Sequence, residues 1–408
     1  MLLRFLPLTL LPVAAAAQTT DPAITSWLLN PNNTTGYNGL VANVQQVQYS
    51  AANVYVSCTS IPTYSIGPWP GNPNQTTSQT YLFKIPRMPV PHTGAATPTP
   101  LGPAGLWRNG VTMFNAKDAR SYLNQDVWHQ NAIVVEGPGF DSCLGHPNQT
   151  GAYHHHLNPK CLYNDRDSAA HAPLLGYALD GYPIYGTYGY RNAATGTGGI
   201  KSLKSAYRLR SITQRTTLPG GAAAPAAGPP VSAQYPLGYY VEDYEYVAGR
   251  GDLDQYNGRF GRTPEYPNGT YAYFVTLNSF YEGAYPYVVG PTYYGVVPPG
   301  RAGQATITEP VTTYVLSTRL AAAGYRLVCA PNPAAATVQL RLSGPVTGQP
   351  FRARLLDGLG RPVGSALTLP ATGQAVALDV QALAPGIYFL WLEGNGLASA
   401  EKILVGGR

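Results

Sequence analysis

The chain has 408 residues, of which 44% are hydrophobic and only 11% charged, well under the quarter usual for globular proteins. With 31 Tyr, 45 Gly and 38 Pro, the composition excludes a highly charged, aromatic-poor disordered chain and suits short strands joined by turns. The formal net charge of +6 comes mostly from scattered arginines without a basic run, which excludes a nucleic-acid footprint.

The chain opens with "MLLRFLPLTLLPVAAAAQTT", in which Arg4 precedes an apolar stretch and Ala15 and Ala17 form an A-x-A site before Gln18. This pattern predicts a secretory signal peptide over 1–17 and a mature protein exported into an oxidising space. No cysteine follows the site, and no other segment holds eighteen consecutive apolar residues, so neither a lipoprotein anchor nor a membrane span is expected.

From Gln18 to Gly105, strand-like pieces such as "VQQVQYSAANVYVSC" alternate with turns such as "GPWPGNPNQ". This segment has little obvious core of its own and is expected to complete the sheet of the region C-terminal to it. Strand patterns dominate from Trp107 to about Tyr294 ("AIVVEG", "YPIYGTY", "YAYFVTL", "YPYVVG"). Within that region "PGGAAAPAAGPP" (Pro219 to Pro230) offers nothing to pack and predicts a mobile surface insertion. In "DLDQYNG" the spacing of Asp252, Asp254 and Asn257 misses a calcium loop by one residue, and a hydrogen-bonded turn is expected.

The stretch "DSCLGHPNQTGAYHHHLNPKCL", Asp141 to Leu162, holds four of the seven histidines and two of the four cysteines. Turn residues bracket "GAYHHHL", which reads as a short strand. On a strand, His154 and His156 point to one face, and Tyr153 and His155 to the other. Two same-face imidazoles can chelate one transition metal, with copper or zinc the expected ion. His146 lies across a turn and can reach the same place, Asp141 can supply a carboxylate, and His171 is a further candidate, as is Asp180. The metal set read from sequence is therefore His154, His156, His146, Asp141 and His171. The competing reading has these histidines hydrogen-bonding within a polar, tyrosine-rich patch. His155 faces away, and His92 and His129 have no motif around them.

Cys143 and Cys161 flank the cluster. An oxidising compartment favours a disulfide between them over thiolate ligation of a metal, and closing so short a loop removes roughly 3 kcal/mol of unfolded-state entropy. Cys58 and Cys329 cannot be paired from sequence. No G-x-S-x-G, H-E-x-x-H or P-loop is present, so the sequence assigns no catalytic residue and leaves open whether the protein is an enzyme.

The middle of the chain resembles the YHYH domain family, named for Tyr-His-Tyr-His. The stretches that carry the resemblance are "FDSCLGHPNQTGAYHHH" with "PKCL", "LLGYALDGYPIYG", "DLDQYNGRFGRTPEYPNGTYAYFVT" and "YPYVVGPTYYG". It covers about 107–294. The third motif position, usually Tyr, is His155 here. The resemblance implies an exported setting and assigns no reaction.

The last eighty or so residues change character. "VQLRLS" puts Val338, Leu340 and Leu342 on one face against Gln339 and Arg341, and "FRARLL" alternates Phe351, Ala353 and Leu355 against Arg352 and Arg354. Turn signals stand at Asp357-Gly358 and Asn395-Gly396, and together they predict a small antiparallel sandwich. "APNPAAATVQLRLSG", "LLDGLGRPV", "LAPGIYFLWL" and "KILV" resemble the type A C-terminal sorting domain of type IX secretion substrates. That resemblance implies a Bacteroidota-type protein that passes through the periplasm to the outer cell surface or the medium, with the type IX machinery as partner.

The expected fold is mainly β: a YHYH-type domain over 18–297, a linker region over 298–324, and a small immunoglobulin-like β-sandwich sorting domain over 325–408. The expected function is a secreted or cell-surface protein binding a transition metal through its histidine cluster. The alternative is a surface adhesion or glycan- or protein-binding module with structural histidines.

Overall fold

The computed structural model describes residues 21–31, 33–314, 320, 323–345, 350–357, 361–394 and 397–406. The predicted signal peptide at 1–17 lies outside the described residues, as do Gly358, Asn395 and Gly396 of the two predicted turns. The described chain is built mainly from short strands, with helices of no more than four residues. None of those helices is long and apolar enough to cross a membrane.

A first sheet orders the strands Thr312–Thr313, Val44–Tyr49, Asn53–Cys58 and Tyr81–Pro86, all antiparallel. Val44, Val47, Val54, Tyr55, Val56, Cys58, Phe83 and Ile85 are its buried side chains. A second sheet of eight strands runs in the order Gly258–Gly261, Thr270–Phe274, Pro183–Tyr185, Leu174–Ala178, Pro103–Trp107, Thr112–Phe114, Tyr153–His155 and His146–Pro147. Its pairings are antiparallel except for Pro183–Tyr185 with Thr270–Phe274 and Thr112–Phe114 with Tyr153–His155. Strands at its centre are buried on both faces: all five residues of Leu174–Ala178 are inaccessible, which a continuous apolar run permits and an alternating one would not. Gly176 is required there, because a Cβ would lie 2.1 Å from the Leu106 carbonyl oxygen of the neighbouring strand.

The first sheet adds no strand to the second. Instead, both feed one hydrophobic core that extends from Ala23 to Tyr293, and Trp27 packs on Tyr177 at 5.5 Å between ring centroids. The segment after 298 is partly strapped to the first sheet. Thr312–Thr313 pairs with Gln48 and Tyr49, and Glu309 accepts from Asn53 Nδ2 and Tyr55 Oη, both at 2.7 Å.

The proline- and alanine-rich stretch at 219–230 lies mostly at the surface, as expected, but it does pack through its backbone, which its composition does not predict. Trp128 Nε1 donates to the Ala226 carbonyl (2.9 Å), and Arg215 Nη1 donates to that of Pro229 (2.9 Å). Gly228 lies against the Trp128 ring and the Arg215 stem, where a Cβ would come within 2.9 Å of both. Arg215 itself is buried and ion-paired twice to Asp243, at 2.7 and 2.8 Å. Small side chains let the backbone approach this cluster, a role that composition alone does not reveal.

The C-terminal part is a separate two-sheet sandwich with its own core. One sheet orders Arg326–Ala330, Thr337–Ser343 and Thr372–Asp379; the other orders Pro362–Leu369, Phe351–Leu356, Gly386–Gly394 and Leu397–Val405. The predicted alternation holds: Val338, Leu340 and Leu342 are inaccessible while Gln339 and Arg341 are exposed.

Candidate metal centre

The histidine stretch forms the end of the eight-stranded sheet. Asn148 closes the turn, its side-chain oxygen accepting from the Thr150 and Ala152 amides at 2.9 and 3.0 Å. The chain then returns so that His146 lies directly opposite His154 in antiparallel register, while Thr112 lies opposite His154 on the other side. Gly145 makes this approach possible. A Cβ there would stand 2.4 Å from the Tyr153 ring and 2.9 Å from the His154 carbonyl oxygen.

His146, His154 and His156 converge, one ligand nitrogen from each lying within 4.8 Å of the others, and all three are buried. His154 Nδ1–H donates to the Ala152 carbonyl (3.1 Å) and His156 Nδ1–H to that of Asn115 (2.6 Å). Carbonyls only accept, so these bonds fix the protonated nitrogen and turn each Nε2 inward. The two Nε2 atoms stand 3.1 Å apart. Such carbonyl-anchored imidazoles are the usual second support of metal-ligating histidine. Phe114 stacks on His154 (4.0 Å, 28° between planes), and Phe140 lies 4.8 Å from His146 and 6.3 Å from His156, making an apolar wall.

Burial disfavours positive charge here. It pushes His146 down to about 4, and it pushes His154 well below the ordinary imidazole range, reinforced by the neighbouring His156 and His146. Depressed proton affinity keeps both nitrogens available as neutral ligands.

A fourth group reaches the cluster. Glu136 caps the C-terminal end of the short helix Ala132–Val135, whose N-cap Asn131 accepts from the Ile133 amide. Glu136 Oε2 lies 3.1 Å from His156 Nε2 and 3.6 Å from His146 Nε2. Burial works against its ionisation, but His156 and His146 outweigh that and hold its carboxyl below the ordinary range. Sequence reasoning passes over Glu136. It stands ten positions before His146 in "AIVVEGPG", with no spacing that marks a ligand, and only the helix turn aims it at the triad.

Asp141 does not join the triad. Its carboxylate accepts from Gly67 N (2.8 Å), Trp69 Nε1 (3.1 Å), Cys143 N (2.9 Å), Gly145 N (3.1 Å) and Tyr153 Oη (3.0 Å). Tyr153 shares a strand face with His155, so this carboxylate organises the loop from behind the strand. His171 is also elsewhere. It packs on Tyr185 and Tyr190 at 5.0 and 4.9 Å, donates from Nδ1 to the Ala172 carbonyl, and is pushed down to about 4 by burial. Asp180 accepts from Tyr273 Oη (2.6 Å), Gly295 N (2.8 Å) and Tyr182 N (3.2 Å), and burial raises it to about 6. Cys143 and Cys161 form a disulfide, so neither sulfur is a thiolate ligand. Cys58 and Cys329 are both free.

His155 is fully buried between Trp107 and Tyr153, with neither ring nitrogen in a well-formed hydrogen bond. Burial drops it to about 3, and a loose contact with the Cys143 backbone offsets only part of that effect. Elsewhere His129 bridges Glu242 (2.7 Å) and Asp126 (2.8 Å), and His92 contacts Tyr256 Oη (2.8 Å). In the "DLDQYNG" turn, Asp254 Oδ1 accepts from the Tyr256 and Gly258 amides and from Tyr271 Oη, as a hydrogen-bonded turn requires.

Two family models match this chain. One described as YHYH protein matches residues 82–287, and one described as Secretion system C-terminal sorting domain matches residues 329–406. No curated protein matches the chain.

Proposed function

This chain belongs to the YHYH protein family, and we propose that its function is to hold one transition-metal ion, copper or zinc, at His146, His154 and His156. Its C-terminal sorting domain makes it a substrate of the type IX secretion system, destined for the cell surface or the exterior. The passage through the periplasm, with a signal peptide at 1–17, belongs to the same proposal.

The observation that carries the metal reading is the 3.1 Å approach of two Nε2 atoms whose rings are both locked by Nδ1 donation to carbonyls. Without a cation between them, two nitrogen lone pairs face each other inside an apolar wall. When bound, such an ion supplies Lewis acidity, or redox chemistry if it is copper. The chain's own residues do the rest. Ala152 and Asn115 orient the imidazoles of His154 and His156, Phe114 and Phe140 exclude water, and burial disfavours the charged forms of His146 and His154. The test is metal analysis of tag-free protein beside its His154→Ala/His156→Ala variant: near-stoichiometric metal lost in the variant supports the reading, and metal-free protein that takes up neither zinc nor copper ends it.

A second reading, a glycan- or protein-binding surface, rests on a cavity of about 440 Å³ lined by Tyr207, Tyr244, Tyr246 and Tyr285. It predicts that substitutions of these tyrosines, and not of the histidines, abolish binding in a glycan or surface-partner screen.

A further inference from the structure

We infer that Glu136 is the fourth protein ligand of the metal centre and closes it into a four-coordinate N3O site; this rests on the metal reading proposed above. Glu136 Oε2 is a buried atom with no well-formed hydrogen bond, as is His146 Nε2, and the two lie 3.6 Å apart. Two buried polar atoms facing each other unsatisfied are costly unless something sits between them.

The three histidines converge within 4.8 Å of one another and Glu136 stands beside that group, within an ion's ligand spacing of His156 and His146. Ligands about 2.0–2.1 Å from a tetrahedral centre stand about 3.3 Å from one another. The separations here are 3.1 Å (His154 to His156), 3.1 Å (His156 to Glu136) and 3.6 Å (His146 to Glu136). A proton offers a competing account, since a hydrogen on His156 Nε2 can bond to Glu136 or to His154. It serves one of these well but not both; at His146, Asn72 Nδ2 lies 3.4 Å from Nδ1, so without an ion the ring proton sits on Nε2 and faces Glu136 Oε2 at 3.6 Å, too far for a well-formed bond.

Charge and access agree with a metal. Three neutral imidazoles and one carboxylate offset one charge of a divalent ion, easing its burial. The Glu136 side chain is 27% exposed while the His146 and His156 side chains are 6% and 3% exposed, so the carboxylate is the solvent-side ligand. With Glu136 in place no coordination position remains open, and the centre retains its ion instead of presenting it to a substrate.

The test is cobalt(II) titration of the metal-free mature chain. The expected result is one equivalent bound with the intense absorption of a tetrahedral ion, unchanged by added azide. Glu136→Gln should bind at least tenfold more weakly and gain an azide-dependent spectral change, while its thermal unfolding in chelator stays that of the parent. Glu136→Asp should restore part of the affinity. Parent protein that binds no cobalt, zinc or copper overturns the metal reading and this inference with it. Tight binding with equal affinity and spectrum in Glu136→Gln overturns this inference alone, as does an azide response in the parent. If Glu136→Gln unfolds in chelator, Glu136→Asp decides: a tetrahedral spectrum with affinity between those of the parent and Glu136→Gln supports ligation, and binding that tracks only the folded fraction overturns it.

Discussion

His154 Nε2 and His156 Nε2 face each other at 3.1 Å, and each ring is pinned from behind by a backbone carbonyl. The alternation of one short strand produces this pairing, since residues two apart share a face. His146 joins because the turn at Pro147–Ala152 sets it opposite His154. Three candidate ligands thus come from eleven residues, and the disulfide between Cys143 and Cys161 ties the same loop across 18 residues.

Buried neutral histidines set a pH dependence. His146 and His155 are lowered from 6.5 to about 4 and about 3. Between those values and 6.5 the unfolded chain binds more protons than the folded one, so metal-free protein loses stability as pH falls. Urea midpoints of metal-free protein should drop from pH 7 to pH 5. His155→Phe, which removes one of the four histidines that burial lowers (His146, His154, His155 and His171), should flatten that drop; an unaltered slope contradicts the assignment.

His129 has the opposite sign. The bond to Glu242, opposed by burial and aided by Asp126, raises it above 6.5. Its contribution is fully present below 6.5 and is lost as pH rises through the folded-state value. The stability difference between the parent and His129→Gln should therefore shrink from pH 6 to pH 9, and a difference that grows would refute the ion-pair account.

The Asp141 carboxylate gathers five donors behind the histidine triad. Removing one of them in Tyr153→Phe should cost about 2 kcal/mol, the scale of a hydrogen bond to a charged group. Asp141→Asn should cost more, because its amide turns N–H groups toward N–H donors. Equal costs in denaturant titrations would contradict this ranking. Tyr153→Phe should retain metal, since its hydroxyl bonds to Asp141 and not to the triad.

Arg215 and Asp243, both with fully buried side chains, anchor the 219–230 stretch. Arg215→Met strands a buried carboxylate and should cost about 3–5 kcal/mol, with proteolysis appearing first within 219–230. Unchanged stability would mean that this segment is held by something else.

These residues also show what the sequence discloses. The H-x-H pair and the alternation in "VQLRLS" are periodic signals, and periodicity survives without tertiary information. His146 needed only a plausible turn. Glu136 and Arg215 carry no period, and they matter because distant backbone folds around them. Asp141 is close to the histidines in sequence yet bonds on the other side of the strand, and proximity along the chain cannot distinguish those faces. The poor packing expected of 219–230 came from judging side chains alone, whereas its carbonyls and its bare Gly228 backbone make the contacts.

Delivery should be separable from metal binding. Deleting residues 325–408 removes the sandwich and its core without touching the first core. The truncated chain should accumulate in the periplasm of a host with the matching secretion system, read by fractionation. Normal arrival at the surface or in the medium would contradict the sorting role.

The most direct test of the central claim is elemental analysis of the mature protein, purified without a polyhistidine tag from its native compartment, beside His154→Ala/His156→Ala. The account predicts close to one copper or zinc per chain in the parent and none in the variant, both folded. A folded parent that carries no metal and takes up neither ion would contradict it, and would make the triad a structural feature of the strand.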